Sequence, residues 1–82
     1  MINLMINGKN TSFEEGISIL DLIVHYKLDT KFVAVGHNGD VVKKENYPSI
    51  VLSDGDQVEL VKPVGGGQTV RITFPLLFLP DR

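Results

Sequence analysis

Apolar and polar positions alternate from the first residue. Ile2, Leu4 and Ile6 fall on one face and Asn3 and Met5 on the other, the period-two pattern of a half-buried strand. Asn7-Gly8 follows, two residues that tolerate positive φ, so the pair marks a tight hairpin. Lys9 to Phe13 is the returning strand, with Thr11 and Phe13 on one face. The period then changes. Ile17, Leu20, Ile23, Val24 and Leu28 recur at helical spacing. Ser18 and Asp21 stand three apart, the spacing of a capping box, and Asp21 puts negative charge at the positive end of the helix dipole. Ile17 and Leu22 flank that cap as a hydrophobic staple, and the expected helix runs from Ser18 to Tyr26.

Phe32-Val33-Ala34-Val35 reads as a short buried strand, Asn38-Gly39 as a second turn and Val41-Val42 as a brief return. Lys44 to Tyr47, before Pro48, reads as one irregular or 3₁₀ turn. Asp54-Gly55-Asp56 is a third turn, and Gln57 to Val61 alternates again with Val58 and Leu60 on one face. Hairpin, helix, and then a late strand predict an α+β fold: one mixed sheet of four to five strands with one main helix packed on one face.

Three units follow from this pattern: a folded domain over residues 1–64, a glycine arm over 65–67, and a C-terminal extension over 68–82. In the extension Val70, Ile72 and Phe74 alternate with Thr69, Arg71 and Thr73, and Leu76-Leu77-Phe78-Leu79 lies between Pro75 and Pro80. The gain from burying these side chains and the entropy lost in ordering the segment are of similar size, so both a tail packed on the domain and a free one stay open.

Composition narrows the chemistry. In 82 residues, 43% are hydrophobic and 22% charged, the balance of one small globular domain. There is no cysteine, which excludes disulfides, thiolate zinc sites and thiol catalysis by this chain. The net charge of -2 lacks the basic surplus of a nucleic-acid binder. No apolar stretch is long enough to span a bilayer, so the expectation is a cytoplasmic protein without nucleic-acid or membrane partners. The two histidines, His25 and His37, have no nucleophile constellation around them in the sequence. His25 sits one turn from Asp21, the spacing of an exposed helix pair. Asp54-Gly55-Asp56 lacks the remaining ligands of a calcium loop and reads as a turn capped by its aspartates, and Gly65-Gly66-Gly67 lacks the Lys-Ser/Thr of a phosphate loop. The glycines therefore read either as a linker or as an arm thin enough to thread a narrow channel.

Taken in order, several segments resemble the ThiS family of sulfur carriers in thiamine biosynthesis. They are Leu4 to Lys9, Glu15-Gly16 before Ile19 to Leu22, Val33 to Val35 with Asn38-Gly39, Asp54 to Glu59, and Val64-Gly65-Gly66-Gly67. The resemblance covers residues 1–67. It implies the β-grasp, ubiquitin-like fold, and a chain that is a protein cosubstrate and not an enzyme. Gly67 would be adenylated by an E1-like (ThiF-like) adenylyltransferase and converted to a thiocarboxylate. No cofactor is bound by the carrier, and ATP is used by the activating enzyme. A ThiG-like thiazole synthase would take the sulfur. Gly65 and Gly66 would form the slim arm beside Gly67. The molybdopterin-synthase small subunit is a cousin, but the compact body is more similar to the thiamine carrier.

The extension departs from the family pattern, because Gly67 is in amide linkage to Gln68. Three accounts follow: a protease removes residues 68–82, the extension is an accident of the gene, or the fold survives as a non-covalent interaction module. A carrier for another pathway, activated by removal of the tail, is a variant of the first. Residues 1–67 hold six lysines against nine carboxylates, so removal shifts the net charge to -3 before the new carboxylate is counted. Docking residues are expected at Met5, Val61, Pro63 and Val64. The β-grasp topology makes the first and last strands neighbours, which predicts Met5 beside Val61 on the helix-free face. That pair is either a docking patch leading to the arm, which the tail could cover, or scattered surface hydrophobes.

Overall fold

A computed structural model of the chain describes residues 1–63 and 69–71. Five strands, β1 (Ile2–Ile6), β2 (Lys9–Phe13), β3 (Ala34–His37), β4 (Asp40–Val42) and β5 (Gln57–Pro63), form one mixed sheet in the order β2-β1-β5-β3-β4. A sixth strand, β6 (Thr69–Arg71), pairs with β5 off this path. One helix, α1 (Ile19–His25), packs on one face, which is the β-grasp arrangement that the resemblance implies.

The hairpins are antiparallel, and among the described strands only β1 and β5 run parallel, with Met5 opposite Gln57 and Ile6 opposite Val58. Asn7 and Gly8 take φ of 51° and 84°, and Asn38 and Gly39 take 51° and 92°. Both turns therefore need two consecutive residues in the left-handed region, which Asn-Gly supplies at little cost. Alternation along β1 buries Ile2, Leu4 and Ile6, while β5 buries Val58 and Leu60.

Helix α1 starts as its sequence dictates. The Ser18 hydroxyl accepts from the Asp21 amide at 3.0 Å, and the Asp21 carboxylate accepts from the Ser18 amide at 3.0 Å. The next two free amides are satisfied by tertiary contacts, Ile19 N–H to the Ile50 carbonyl and Leu20 N–H to the Tyr47 carbonyl, both at 3.0 Å. The buried stripe differs from the expected one. Ile19, Leu22 and Ile23 are buried while Val24 is 63% exposed. The helix points its i, i+3, i+4 row from Ile19 into the sheet, and Val24 falls just off that row.

The third strand also starts later than its apolar run. Thr30–Phe32 is a 3₁₀ turn capped by the Asp29 carboxylate, which accepts from Lys31 N–H at 2.9 Å. Phe32 is consequently outside the sheet and exposed, and Val33 is the first core residue. Lys44–Asn46 is the expected 3₁₀ turn. Tyr47 fills the core beneath it and donates its hydroxyl to the Val33 carbonyl at 3.3 Å.

The core joins both sheet halves to α1, so a cavity there should be felt globally. Leu22→Ala should lower unfolding free energy by about 2–5 kcal/mol in urea titrations. Ser18→Ala should lower it by about 0.5–2 kcal/mol through loss of the cap, and Val41→Ala, at an exposed position, should change it by less than about 0.5 kcal/mol.

Candidate functional site

The structure leads to the glycine arm along β5. This strand is central, with β1 on one edge and β3 on the other, so its exit point is fixed by two ladders. Its last described residue before the arm is Pro63. Val64, Gly65, Gly66 and Gly67 lie outside the described residues, so the expectations for them rest on sequence alone.

The face of the sheet opposite α1 carries Asn3 and Met5 from β1, Ala34 and Gly36 from β3, Val41 from β4, and Gln57, Glu59 and Val61 from β5. Met5 and Val61 do share this face, but they are not neighbours. Met5 is level with Gln57, and Val61 lies four residues further along β5, roughly 13 Å away. The parallel register sets this offset, since β1 ends at Ile6 while β5 runs on to Pro63. Beside Val61 stands Ala34 instead, with the row of Val41, Gly36 and Glu59 next to it. At the Gly36–Val41 row the face holds a shallow depression of about 330 Å³, lined also by Gln57 and Asp40. Val41 is 87% exposed and Met5 38% exposed. The apolar surface nearest the arm is therefore Ala34–Val61 with Val41, and Met5 marks the opposite end of the face.

Two polar clusters hold β5 in place. The first is the side chain of Asn7. Its amide oxygen accepts from Leu60 N–H at 2.7 Å, and its amide nitrogen donates to the Leu60 carbonyl at 3.1 Å. One side chain thus imitates the next residue of β1. The second cluster lies at the start of β5. His37 Nε2 donates to the Asp56 carboxylate at 2.8 Å, Ser53 N–H donates to the same oxygen at 2.9 Å, and the Asn38 amide donates to the other oxygen at 3.1 Å. Asn38 Oδ1 also accepts from Gln57 N–H at 2.8 Å. Burial by itself pushes the Asp56 carboxyl up. The bonds from His37, Ser53 and Asn38, with the charge of His37, outweigh it and hold the group below the usual carboxylate range.

The histidines thus have structural work. His25 stacks edge-on against Phe13 and Tyr26, with centroids 5.1 and 4.9 Å apart, and it lines an open cavity of about 480 Å³ with Glu14, Glu15 and Asp21. Of the two aspartates expected to cap the 54–56 turn, Asp56 does so by accepting from Ser53 N–H, while the Asp54 carboxylate ties the turn to β1 by accepting from Asn3 N–H at 2.6 Å. Among the described residues no group of three or more His, Cys, Asp or Glu is placed to hold a metal, and no helix is long and apolar enough to cross a membrane. The described part of the domain is a scaffold that fixes the root of an arm.

A mixed sheet around a central β5, covered on one face by the one α-helix among the described residues and leading into a glycine run, defines a β-grasp domain of the ubiquitin-like kind. A profile of the ThiS family matches residues 4–67, and the chain belongs to that family. It is 38% identical over 65 residues to the sulfur carrier protein ThiS of Bacillus subtilis, covering 78% of this chain and 98% of that one. The crystal structure of a thiamine biosynthesis protein (ThiS) from Geobacter metallireducens superposes with a TM-score of 0.73 at 32% identity, covering 80% of this chain and all of that one. The chain is also 33% identical over 73 residues, 89% of its length, to a thiazole synthase of Paramagnetospirillum magneticum, but it spans only 22% of the length of that relative.

The Asp56 cluster makes stability depend on acid pH. Because the folded pKa lies below the unfolded one, its contribution is complete above the unfolded value and disappears as pH falls through the folded one. The urea midpoint of wild type should exceed that of Asp56→Asn near neutral pH, and the gap should close as pH falls below about 4.

Proposed function

We propose that this chain is a sulfur carrier of thiamine biosynthesis, a cosubstrate consumed and regenerated by other proteins and not itself an enzyme. The observation that carries this reading is the extent of the family match, which runs from β1 to end on Gly67. The identity to the Bacillus carrier over nearly its whole length supports it.

The chemistry asks little of the domain beyond a free acyl group. Hydrolysis of the bond between Gly67 and Gln68 gives a C-terminal carboxylate. That carboxylate attacks the α-phosphate of ATP in an E1-like, ThiF-like adenylyltransferase, expelling pyrophosphate and forming an acyl-adenylate. A sulfur nucleophile then displaces AMP, and the resulting thiocarboxylate delivers sulfur to a thiazole synthase. Gly65 and Gly66 keep the arm free of side chains, so a narrow active site admits it. Ala34, Val61 and Val41 give the arm's root an apolar docking surface, to which Pro63 and Val64 are contiguous in sequence. A protease that removes residues 68–82 supplies the carboxylate in the cytoplasm, since an amide oxygen is a poor nucleophile toward ATP. The likeness to thiazole synthases supports the choice of acceptor, because those proteins contain a segment similar to this chain.

Residues 1–67, incubated with ATP, a sulfur source and the activating enzyme, should gain the mass difference of sulfur for oxygen by intact-mass spectrometry. The 82-residue chain without protease should not. Gly67→Val in the truncated form should abolish the gain while leaving the urea midpoint unchanged, since the described core residues all lie between Ile2 and Leu60. No adduct on residues 1–67, in a tube where a ThiS protein of known activity reacts, would exclude the carrier reading.

A further inference from the structure

The edge of β5 nearest β1 is used in two ways. At Leu60 the backbone N–H and C=O are both engaged by Asn7. Backbone groups two residues apart in a strand point to the same side, so the N–H and C=O of Lys62 face this edge too, one step beyond the end of β1. On the other edge β3 pairs with residues 58–61, and Ala34 is level with Val61. β6 must therefore lie on the β1 side, in line with β1 and past its end. There it runs antiparallel to β5, with Arg71 opposite Val61, Val70 opposite Lys62 and Thr69 opposite Pro63. The next position on β5, Leu60, is already taken by the Asn7 side chain.

These contacts describe a slot for one short extended strand. Asn7 closes it at one end, Lys62 supplies its donor and acceptor, and Val61 and Pro63 flank them. Gly67 is four residues past Pro63, within roughly 14 Å of extended chain. A protein that grips this slot holds the root of the arm at a fixed distance from its own active site.

We infer that the Val61–Pro63 edge of β5 is a strand-binding site for the protein that receives the glycine end. It takes an extended segment of that protein antiparallel to β5, and Thr69–Arg71 occupy the site in the uncut chain as a built-in competitor. Main-chain pairing gives such a site affinity without demanding a particular partner sequence. The covalent link through residues 64–68 keeps the competitor at high effective concentration, which favours β6 at the site over a free strand of similar length. Removing the extension then does two things at once: it frees the acyl group and opens the site. The partner's identity rests on the carrier reading; the competition for the Lys62 edge does not.

The test uses three forms: the full chain, the full chain with Val70→Pro, and residues 1–67. Val70→Pro removes the N–H opposite Lys62 yet keeps the bond between Gly67 and Gln68, so it separates the strand site from acyl chemistry. A carrier body without the extension folds alone in the Geobacter relative, whose whole chain is covered by 80% of this one. Hydrogen exchange should find the Lys62 amide protected in the full chain and exposed in the other two forms. The Leu60 amide, bonded to Asn7, should stay protected in all three. Titration with the E1-like activating enzyme should show Val70→Pro and residues 1–67 binding about tenfold more tightly than the full chain, with Lys62 protected again in the complex. Equal exchange at Lys62 in the full chain and Val70→Pro would overturn the competitor. Equal enzyme affinity of those two forms would overturn the shared site. An enzyme that binds none of the three would overturn the carrier reading instead.

Discussion

The structure depends on the placement of its last core strand between two earlier ones. β5 inserts Val58 and Leu60 into the core and is hydrogen-bonded on both edges, in parallel to β1 and antiparallel to β3. Parallel pairing is available for only two register positions before β1 turns away. Asn7 extends it by presenting an amide to Leu60 as a backbone unit would, and the His37–Asp56–Asn38 cluster anchors the strand's beginning. Loss of either support leaves a buried strand with unmatched polar groups, which costs more than the bond itself gives.

Much of this was legible from local chemistry. Ser18 and Asp21 announce a helix start because the capping box is built from residues three apart, and both Asn-Gly pairs announce turns because few other residues accept consecutive positive φ. All the misses but that of Phe32, where the nearby Asp29 cap decides, were settled by contacts distant in sequence. Val24 satisfies a helical apolar spacing, yet the sheet beneath α1 selects the Ile19 row. Phe32 continues an apolar run, yet the Asp29 cap draws it into a 3₁₀ turn. Met5 and Val61 occupy the face expected of them, yet the offset of a parallel ladder cannot be read from either strand alone. Asn7 reads as a turn residue, and nothing near it in the sequence signals that its side chain completes a ladder 53 residues away. His37 and Asp56 likewise pair across 19 residues.

The site expected from sequence was a chain end and not a pocket, and that end lies outside the described residues. Asp21, Asp29, Asp54, Asp56 and His37 hold loops and strands in place. The open face of the sheet adds exposed apolar side chains, Met5 and Val41. The described body contributes position, because the strand that precedes the glycines is held by a neighbour on each edge.

Tying the first strand to the last also governs how the chain assembles. The Asn3–Asp54 and Asn7–Leu60 bonds span 51 and 53 residues, so no early fragment can complete the core. Such non-local closure slows folding and makes it all-or-none, since the entropy of joining the ends must be met before any reward returns. A polypeptide of this kind stays unfolded until β5 is available, and the described core takes no residue from beyond Leu60. Whatever is appended there, by translation or by gene fusion, meets a domain whose folding no longer depends on it.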